Sequence, residues 1–245
     1  MQIIKSLSNS PTFNLAAEEF LFSQRQDDFL FLYVNEPSVI IGCNQAILAE
    51  VNIDFCKENA IKISRRMSGG GTVFHDLGNL NFCFISNKKT GESALGSEFL
   101  QPIIWALNEL FVETKIGKRK DIWLPDEHKI SGTASHVGKT RELHHGTLLY
   151  DSDLSNLQNA LSAKPLEHKT KAIASVPSEV KNIRIWLQEK YQNTLAANHF
   201  FELLKLKLQQ FYCVENTLHF AENEISEINK IKQTKYDSMD WVMKK

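Results

Sequence analysis

The chain has 245 residues, 42% hydrophobic and 23% charged, which is ordinary composition for a globular protein with a substantial core. Its net charge of −1 lacks the basic footprint of a nucleic-acid-binding domain. The opening MQIIKSLSNS shows no secretory pattern, and no apolar run reaches the roughly 20 residues of a membrane helix. Four cysteines without a CxxC pair predict free thiols in a reducing cytoplasm.

The spacing of apolar residues predicts strands and helices over the first two thirds of the chain. Five residues at helical spacing predict an amphipathic helix as the first element: Phe13, Ala16, Ala17, Phe20 and Leu21. Short apolar runs predict buried strands at 29–34, 38–42 and 79–86. A short helix is expected at 54–60, and a strand, a glycine loop and a second strand at 62–76.

The middle of the chain predicts a helix and a hairpin. An apolar stripe over 100–111 predicts a helix of about four turns. Residues 128–138 and 141–151 flank a Gly-Lys turn and predict a long hairpin, after which Asp153 begins a short helix.

The last third, about 178–245, has a mostly helical pattern. Helical stretches are predicted at 180–191, 198–212 and 224–236. A strand-rich first part followed by helices, without βαβ alternation, predicts an α+β fold in which helices pack on a sheet.

The densest group of functional residue types is RRMSGGGTVFHDLGN at 65–79. Three adjacent glycines allow unusual backbone angles and leave main-chain N–H groups accessible to an anion. Two arginines precede them and could fork onto phosphate or carboxylate oxygens, and Ser68 adds a hydroxyl. We predict an anion-binding loop; a flexible turn is the alternative, because the Walker A and Rossmann glycine patterns are absent.

A lysine and a glycine on predicted strands are candidate ligand contacts. Lys129 is followed by the small residues 131–134, which leave room for a ligand beside a compact ammonium. A surface lysine on a strand edge is the alternative. His144 and His145 point to opposite faces of a strand, so no shared metal is expected, and Gly146 indicates close approach by a ligand or a strand.

Two further residues have open interpretations. Asp121 begins a predicted strand and is either a Mg²⁺ ligand beside a phosphate or a turn residue. Cys43 follows a strand and a glycine, so it is either an exposed thiol or a bystander.

Together these segments resemble the lipoate–protein ligase A family. RRMSGGGTVFHDLGN, HKISGTA and HHGTLL resemble its three core motifs in order, and SPTFNLAAEEFLF, PSVIIGCNQ and KYDSMDWVMKK resemble further stretches. The resemblance covers nearly the whole chain. It implies the class II biotin/lipoyl ligase-like catalytic fold, a mixed, largely antiparallel β-sheet flanked by helices.

The resemblance also implies the site residues. Nucleotide contacts are expected from Arg66, Ser68, Gly69, Gly70, Gly71, Thr72, Val73, Phe74 and Lys129. Lipoate contacts are expected from Arg66, His75, Asn79, Lys129, Gly132, His145 and Gly146. Lys129 would be the catalytic residue, touching both the acyl carboxylate and the α-phosphate, and Asp121 would help to hold Mg²⁺.

The implied activity is ATP-dependent lipoate–protein ligation. Lipoate would attack the α-phosphate of ATP to give lipoyl-AMP, and a lysine of an apo lipoyl domain would then take the lipoyl group. Expected acceptors are E2 subunits of 2-oxoacid dehydrogenases and the glycine cleavage H protein, with no nucleic-acid or membrane partner. The lipoyl tail is expected to enter an apolar slot formed by strand 39–41 or strand 82–85.

The chain departs from the family pattern at several positions. It stops where a small C-terminal accessory domain would begin, so we expect one catalytic domain over 1–245 and either no accessory part or a separate accessory subunit. Cys43 and Ala46 stand where the family has an arginine-like residue and asparagine, and Lys120 replaces an asparagine. Pro177 and Glu179 replace two arginines of the adenylate-ordering stretch.

Other functions remain open from the sequence. A carrier-dependent octanoyltransferase or amidotransferase of the same fold needs a cysteine nucleophile and no ATP. Its cysteine would precede the lysine motif, where 114–128 has none, which leaves Cys43 and Cys83 as candidates. A non-catalytic binder, degenerate at the nucleotide site, is the other alternative. A biotin ligase fits HKISGTA and HHGTLL less well.

Overall fold

The computed structural model of the protein describes residues 1–88, 96–163, 174–192 and 195–244. The strands are β1 (Gln2–Lys5), β2 (Phe29–Val34), β3 (Ser38–Ile41), β4 (Lys62–Arg65), β5 (Val73–His75), β6 (Asn79–Asn87), β7 (Lys115–Ile116), β8 (Ile122–Trp123), β9 (Lys129–Ser131), β10 (Thr133–Val137) and β11 (Arg141–Leu149). The helices are α1 (Pro11–Gln24), α2 (Ile47–Glu50), α3 (Ile53–Glu58), α4 (Gln101–Glu109), α5 (Leu154–Ala160), α6 (Ile183–Tyr191), α7 (Ala197–Tyr212), α8 (Glu222–Ile231) and α9 (Met239–Val242). A 3₁₀ turn (Glu98–Leu100) precedes α4, and a π-helical turn (Lys232–Tyr236) follows α8.

The central sheet has the strand order β1-β2-β6-β11-β10. In this sheet β1 and β2 run parallel, and the other neighbouring strands are antiparallel. Two smaller sheets have the orders β4-β3-β5 and β7-β8-β9. The α+β class, with a mixed, largely antiparallel sheet flanked by helices, is therefore confirmed.

Alternation along β6 separates two hydrophobic cores. Leu80, Phe82 and Phe84 pack with residues of α4 and α7 on one face of the sheet. Cys83 and Ile85 point to the other face, where α1 and α8 cover them. Because successive side chains of a strand point to opposite faces, one apolar run supplies both cores.

The helix α1 is capped as its sequence suggests, but it is not the first element. Pro11 occupies its first turn, and the Ser10 hydroxyl accepts a hydrogen bond from the Phe13 amide. The strand β1 precedes it and pairs with β2. The prediction missed β1 because Ile3 and Ile4 are too few apolar residues to establish a period.

Two other predicted elements differ in extent. The hairpin of β10 and β11 begins only at Thr133, because β9 pairs with β8 and belongs to a different sheet. Lys129 thus lies where two sheets meet, next to Gly132. The helix α4 has nine residues and ends before Phe111, whose φ of 64° is incompatible with a continuing right-handed helix.

The remaining predicted elements are confirmed, including the three C-terminal stretches, which contain α6, α7 and α8. Asp153 caps α5 by accepting from the Asn156 amide. Over the described parts of the chain, no helix has the length and apolar character needed to span a membrane.

A buried arginine joins the C-terminal turn to the strand β4. Arg65 is fully buried, and its guanidinium donates to the carbonyls of Trp241 and Val242 at 3.1 and 2.8 Å. It also donates to the carbonyls of Gly42 and Gln45, both at 2.8 Å. Trp241 returns a bond from its indole N–H to the Arg65 carbonyl. Main-chain oxygens thus satisfy this cation.

We predict that Arg65→Ala destabilises the protein by about 3 kcal/mol, because several buried carbonyls lose their donor at once. Urea unfolding of both proteins measures the difference. Lys62→Ala, at an exposed residue of the same strand, is the control and should change stability by less than about 0.5 kcal/mol. Equal effects of the two substitutions would contradict a structural role for the Arg65 network.

Candidate active site

A cavity of about 350 Å³ lies on the α1 face of the central sheet. It opens between the glycine loop (residues 68–72) and the junction of β9 and β10. Side chains from α1, β2, β3 and β11 line it, together with residues 174–176. The volume is in the range of small-molecule sites.

Arg66 shapes the glycine loop from beneath. Its guanidinium donates to the carbonyls of Gly69 and Gly71 at 2.6 and 2.7 Å, to the Ile40 carbonyl at 3.0 Å and to the Ser68 hydroxyl at 2.9 Å. Burial lowers the pKa of Arg66 to about 10, so it remains protonated at neutral pH. We expected the Arg66 guanidinium to be free to donate to ligand oxygens. That expectation is wrong in detail, because most of the guanidinium N–H groups donate to the glycine loop.

The loop presents main-chain donors to the cavity. Arg66 draws the carbonyls of Gly69 and Gly71 inward, and Gly70 has a φ of 81° that favours glycine. A Cβ atom at Gly42 would lie 2.1 Å from the Gly70 carbonyl oxygen, so position 42, which packs against the loop, also requires a residue without a side chain. Among the described residues, the Gly70 and Gly71 amides have no hydrogen-bond partner. This geometry suits an anion.

Lys129 faces the cavity beside a buried carboxylate. Its Nζ atom lies 3.5 Å from Asp121 Oδ2, and Arg119 approaches the same oxygen at 3.7 Å. These contacts are ion pairs too long for good hydrogen bonds, and Asp121 Oδ2 has no hydrogen-bond partner among the described residues. Burial lowers the pKa of Lys129, and the Asp121 charge opposes that shift. The small residues Gly132, Thr133 and Ala134 line the cavity next to it.

A buried polar chain connects Arg66 to α1. The Ser68 hydroxyl, which accepts from Arg66, lies 2.7 Å from His145 Nε2, and His145 Nδ1 lies 3.0 Å from both oxygens of Glu18. Glu18 also accepts from the Tyr33 hydroxyl at 2.9 Å. These contacts fix the orientation of His145 in the cavity wall. The sequence signal for Glu18 is a charged residue on the apolar face of α1, and Glu18 was not among the predicted site residues.

His75 is a neutral imidazole with one free donor. Its Nδ1 atom lies 3.0 Å from the Asn35 amide nitrogen, which donates to it, so the hydrogen is on Nε2. That buried Nε2 has no partner among the described residues, and the ring lines the cavity. Burial lowers the pKa of His75 to about 3, and the positive charge of Arg66 acts in the same direction.

The structure brings most of the predicted residues together at the cavity. Those that line it are Arg66, Gly70, Gly71, Thr72, Val73, His75, Asp121, Lys129, Gly132, His145 and Gly146. Four others do not line it: Ser68, Gly69, Phe74 and Asn79. Phe74 packs in a separate apolar cluster, and Asn79 donates its side-chain amide to Asn81, which does line the cavity.

His144 and the cysteines lie away from the cavity lining. His144 points to the opposite side of β11, where it stacks on Phe99 at 4.5 Å. None of the free thiols belongs to the described residues that line the cavity. Cys83 is buried behind it, grouped with Glu18 and His145, and burial raises the pKa of its thiol well above the ordinary value.

The family model of the lipoyl protein ligase A/B catalytic domain matches residues 10–205. The chain therefore belongs to the lipoyl protein ligase A/B family, and it is an enzyme of the lipoate–protein ligase type. The family predicted from the sequence is confirmed.

Three relatives have comparable identity to this chain. Lipoate-protein ligase LplJ of Bacillus subtilis is 37% identical over 241 residues, 95% of this chain and 70% of that protein. Lipoate–protein ligase 1 of Staphylococcus aureus is 34% identical over 254 residues, which cover 97% of this chain and 73% of that protein. The human mitochondrial lipoyl amidotransferase LIPT1 is 36% identical over 222 residues, 89% of this chain and 57% of that protein.

Solved structures share the fold over nearly the whole chain. A putative lipoate protein ligase from Thermoplasma acidophilum with bound lipoic acid has a TM-score of 0.82 at 23% identity, covering 99% of this chain and 98% of that chain. A lipoate-protein ligase A bound with ATP has a TM-score of 0.81 at 24% identity, covering 99% of both chains.

We predict that His75 makes stability fall as the pH is lowered from 7.5 to 5. Its folded-state pKa of about 3 lies below the unfolded value near 6.5, so below pH 6.5 the unfolded chain binds a proton that the folded chain does not. The stabilisation is therefore complete above pH 6.5 and decreases as the pH falls, by about 2 kcal/mol at pH 5.

Urea unfolding at the two pH values tests this dependence. Between pH 7.5 and pH 5, the free energy of unfolding should fall by about 2 kcal/mol less in His75→Gln than in the wild type. His199→Gln, at an exposed histidine, should show the same fall as the wild type. An unchanged pH dependence in His75→Gln would mean that other groups account for the acid sensitivity.

Proposed function

We propose that this enzyme activates lipoate with ATP as lipoyl-AMP and transfers the lipoyl group to a lysine of an acceptor lipoyl domain. The observation that carries the proposal is that Lys129 lines the same cavity as Gly70 and Gly71, whose amides have no hydrogen-bond partner within the described parts of the chain. A cation and aligned N–H groups suit a substrate carboxylate meeting a phosphate. Relatives named lipoate–protein ligases, and a neighbour bound with ATP, support the same chemistry.

In the first step, a lipoate carboxylate oxygen forms a bond to the α-phosphorus of ATP. The bond from that phosphorus to the bridging oxygen breaks, and pyrophosphate leaves with the electron pair. Negative charge on the non-bridging oxygens is stabilised by the Lys129 ammonium and by the loop amides. Lys129 also screens the carboxylate from the phosphate, which would otherwise repel it.

In the second step, the neutral amine of the acceptor lysine attacks the acyl carbon of the mixed anhydride. The C–N bond forms, the bond from the acyl carbon to the phosphate oxygen breaks, and AMP leaves. The proton that the amine loses as the amide forms passes to the departing AMP phosphate or to water. The acyl oxygen and the phosphate oxygens gain negative charge in this step. The His75 Nε2–H and the Lys129 ammonium line the cavity and can donate hydrogen bonds to them.

A Mg²⁺ ion fits the donors beside Lys129. Asp121 is buried, lines the cavity and carries an oxygen without a hydrogen-bond partner among the described residues. Mg²⁺ is commonly held by one or two carboxylates together with substrate phosphates, and when bound it neutralises charge on the pyrophosphate side. Asp121 would hold it, while Arg119 supplies a further cation at the rim.

The lipoyl tail has an apolar wall on the α1 side of the cavity. Leu15, Ile40 and Val73 contribute it, with the ring of Tyr33. This supports strand 39–41, rather than strand 82–85, as the source of the slot. His145 and Gly146, on β11, also line the cavity, and a Cβ atom at Gly146 would lie 2.4 Å from Phe82 in the core on the other face of the sheet.

The proposed partners are apo lipoyl domains, as in E2 subunits and the glycine cleavage H protein, with a separate accessory subunit as a further candidate. A bi-partite lipoate protein ligase and its E2 lipoyl domain are known among the structural neighbours. We propose that residues 1–245 supply the catalytic domain. Carrier-dependent transfer is a second candidate, favoured by the relative named lipoyl amidotransferase.

We predict that the chain adds a lipoyl group to an apo lipoyl domain only when Mg-ATP is present, and that Lys129→Ala lowers this rate at least about 1000-fold. Mass spectrometry of the acceptor measures transfer. Lys139→Ala, at an exposed lysine of the β10–β11 turn, is the matched control and should retain full activity. Near-normal turnover of Lys129→Ala would refute its assignment.

Synthetic lipoyl-AMP separates the two steps. Transfer from lipoyl-AMP, without transfer from lipoate and ATP, would mean that a partner supplies adenylation. Transfer only from a lipoylated carrier protein would favour the second candidate over the ligase.

Cys43→Ser is predicted to retain ligase activity within about twofold of the wild type, because the proposed route has no thioester. The same transfer assay measures it, with Cys213→Ser as a matched control at an exposed thiol. Complete loss in Cys43→Ser alone would indicate a thiol nucleophile.

A further inference from the structure

Hydrogen bonds among four residues hold Ser175 against the glycine loop. The Glu50 carboxylate accepts from both the main-chain N–H of Ser175, at 3.0 Å, and its hydroxyl. The Ser175 oxygen in turn accepts from the Thr72 amide at 2.9 Å and from the Gln45 side chain at 3.1 Å. We call these four residues the Ser175 clasp.

The oxygen atoms at the centre of the clasp all take part in hydrogen bonds. With its hydroxyl hydrogen directed at Glu50, the Ser175 oxygen has two lone pairs, and both are used. Gln45 Oε1 accepts from the Thr72 hydroxyl at 2.8 Å and from the Gly42 amide at 3.0 Å. Because Glu50 takes both donors of Ser175, it determines that the serine oxygen acts as an acceptor toward the loop.

The clasp joins three distant parts of the chain at the cavity. Glu50 lies on α2, Thr72 ends the glycine loop, and Ser175 belongs to the segment 174–176 that lines the cavity. Glu50, Gln45 and Thr72 are all buried. A Cβ atom at Gly71 would lie 3.0 Å from the Ser175 oxygen, so the loop and this wall are in direct contact.

Neither Glu50 nor Gln45 belongs to the cavity lining. We infer that both are positioning residues: they hold Ser175 against the loop and so fix the cavity wall and the direction of the free Gly70 and Gly71 amides. The inference rests on the proposed function for its effect on ATP. A loop that is already ordered loses less entropy when a nucleotide binds.

Glu50→Gln is the first test, because it keeps the size of the side chain but leaves one acceptor oxygen for two Ser175 donors. We expect the KM for ATP to rise about tenfold, as for loss of one charge-assisted hydrogen bond, with kcat within about threefold of the wild type. Glu58→Gln, the same change at an exposed residue of α3, should leave both values unchanged.

Hydrogen exchange in the nucleotide-free protein tests the clasp without reference to activity. Peptides covering 68–74 and 174–180 should exchange about tenfold faster in Glu50→Gln and in Ser175→Ala, and at the wild-type rate in Glu58→Gln. If Glu50→Gln does not fold, Ser175→Ala decides, since it removes a single oxygen atom.

Two results would overturn the inference. One is exchange and KM within twofold of the wild type in both clasp variants; the other is a lower KM for ATP, which would make the Ser175 oxygen a competitor of the nucleotide for the Thr72 amide. If the wild-type protein shows no ATP-dependent transfer, the proposed function fails, and the exchange rates still determine whether the clasp orders the loop.

Discussion

Two adjacent arginines, held by main-chain carbonyls, are the constraint on which the rest of the site depends. Arg65 fastens the turn after β3 and the C-terminal residues to β4, whereas Arg66 draws the glycine-loop carbonyls inward. A buried guanidinium needs a partner for nearly every N–H group, so these side chains dictate the path of the backbone around them. The amides that face the cavity follow from that path.

The charged groups of the site form two sets, one in the cavity floor and one in the opposite wall. Arg66 connects through Ser68 and His145 to the Glu18 carboxylate, so a chain of hydrogen bonds links the cation and the anion of the cavity floor. On the opposite wall Lys129 and Asp121 form a second pair that is close enough to attract but too far apart for a good hydrogen bond. Both members of that pair have bonding capacity left for a ligand.

Sequence reasoning recovered the family, the fold class and most of the lining residues, because glycines, lysine and histidine occur together in short segments. It did not find Glu18, Tyr33 or Asn81. It also assigned Phe74 and Asn79 to the site: Phe74 points to the reverse face of β5, whereas Asn79 lies on the same face of β6 as Asn81 and contacts that residue without lining the cavity. A one-residue change of position along a strand reverses the face, and only the register determines which residue enters the cavity.

The apolar runs of β2, β3 and β6, the helical C-terminal third and a glycine loop, in which Gly70 has a φ of 81°, can be read from the sequence alone. These features depend on neighbours within a few residues, so local patterns contain them. Only the tertiary structure places β9 in a different sheet from β10, His145 against Ser68, and Ser175 against Glu50. Such contacts join residues up to 125 positions apart, and no local pattern specifies them.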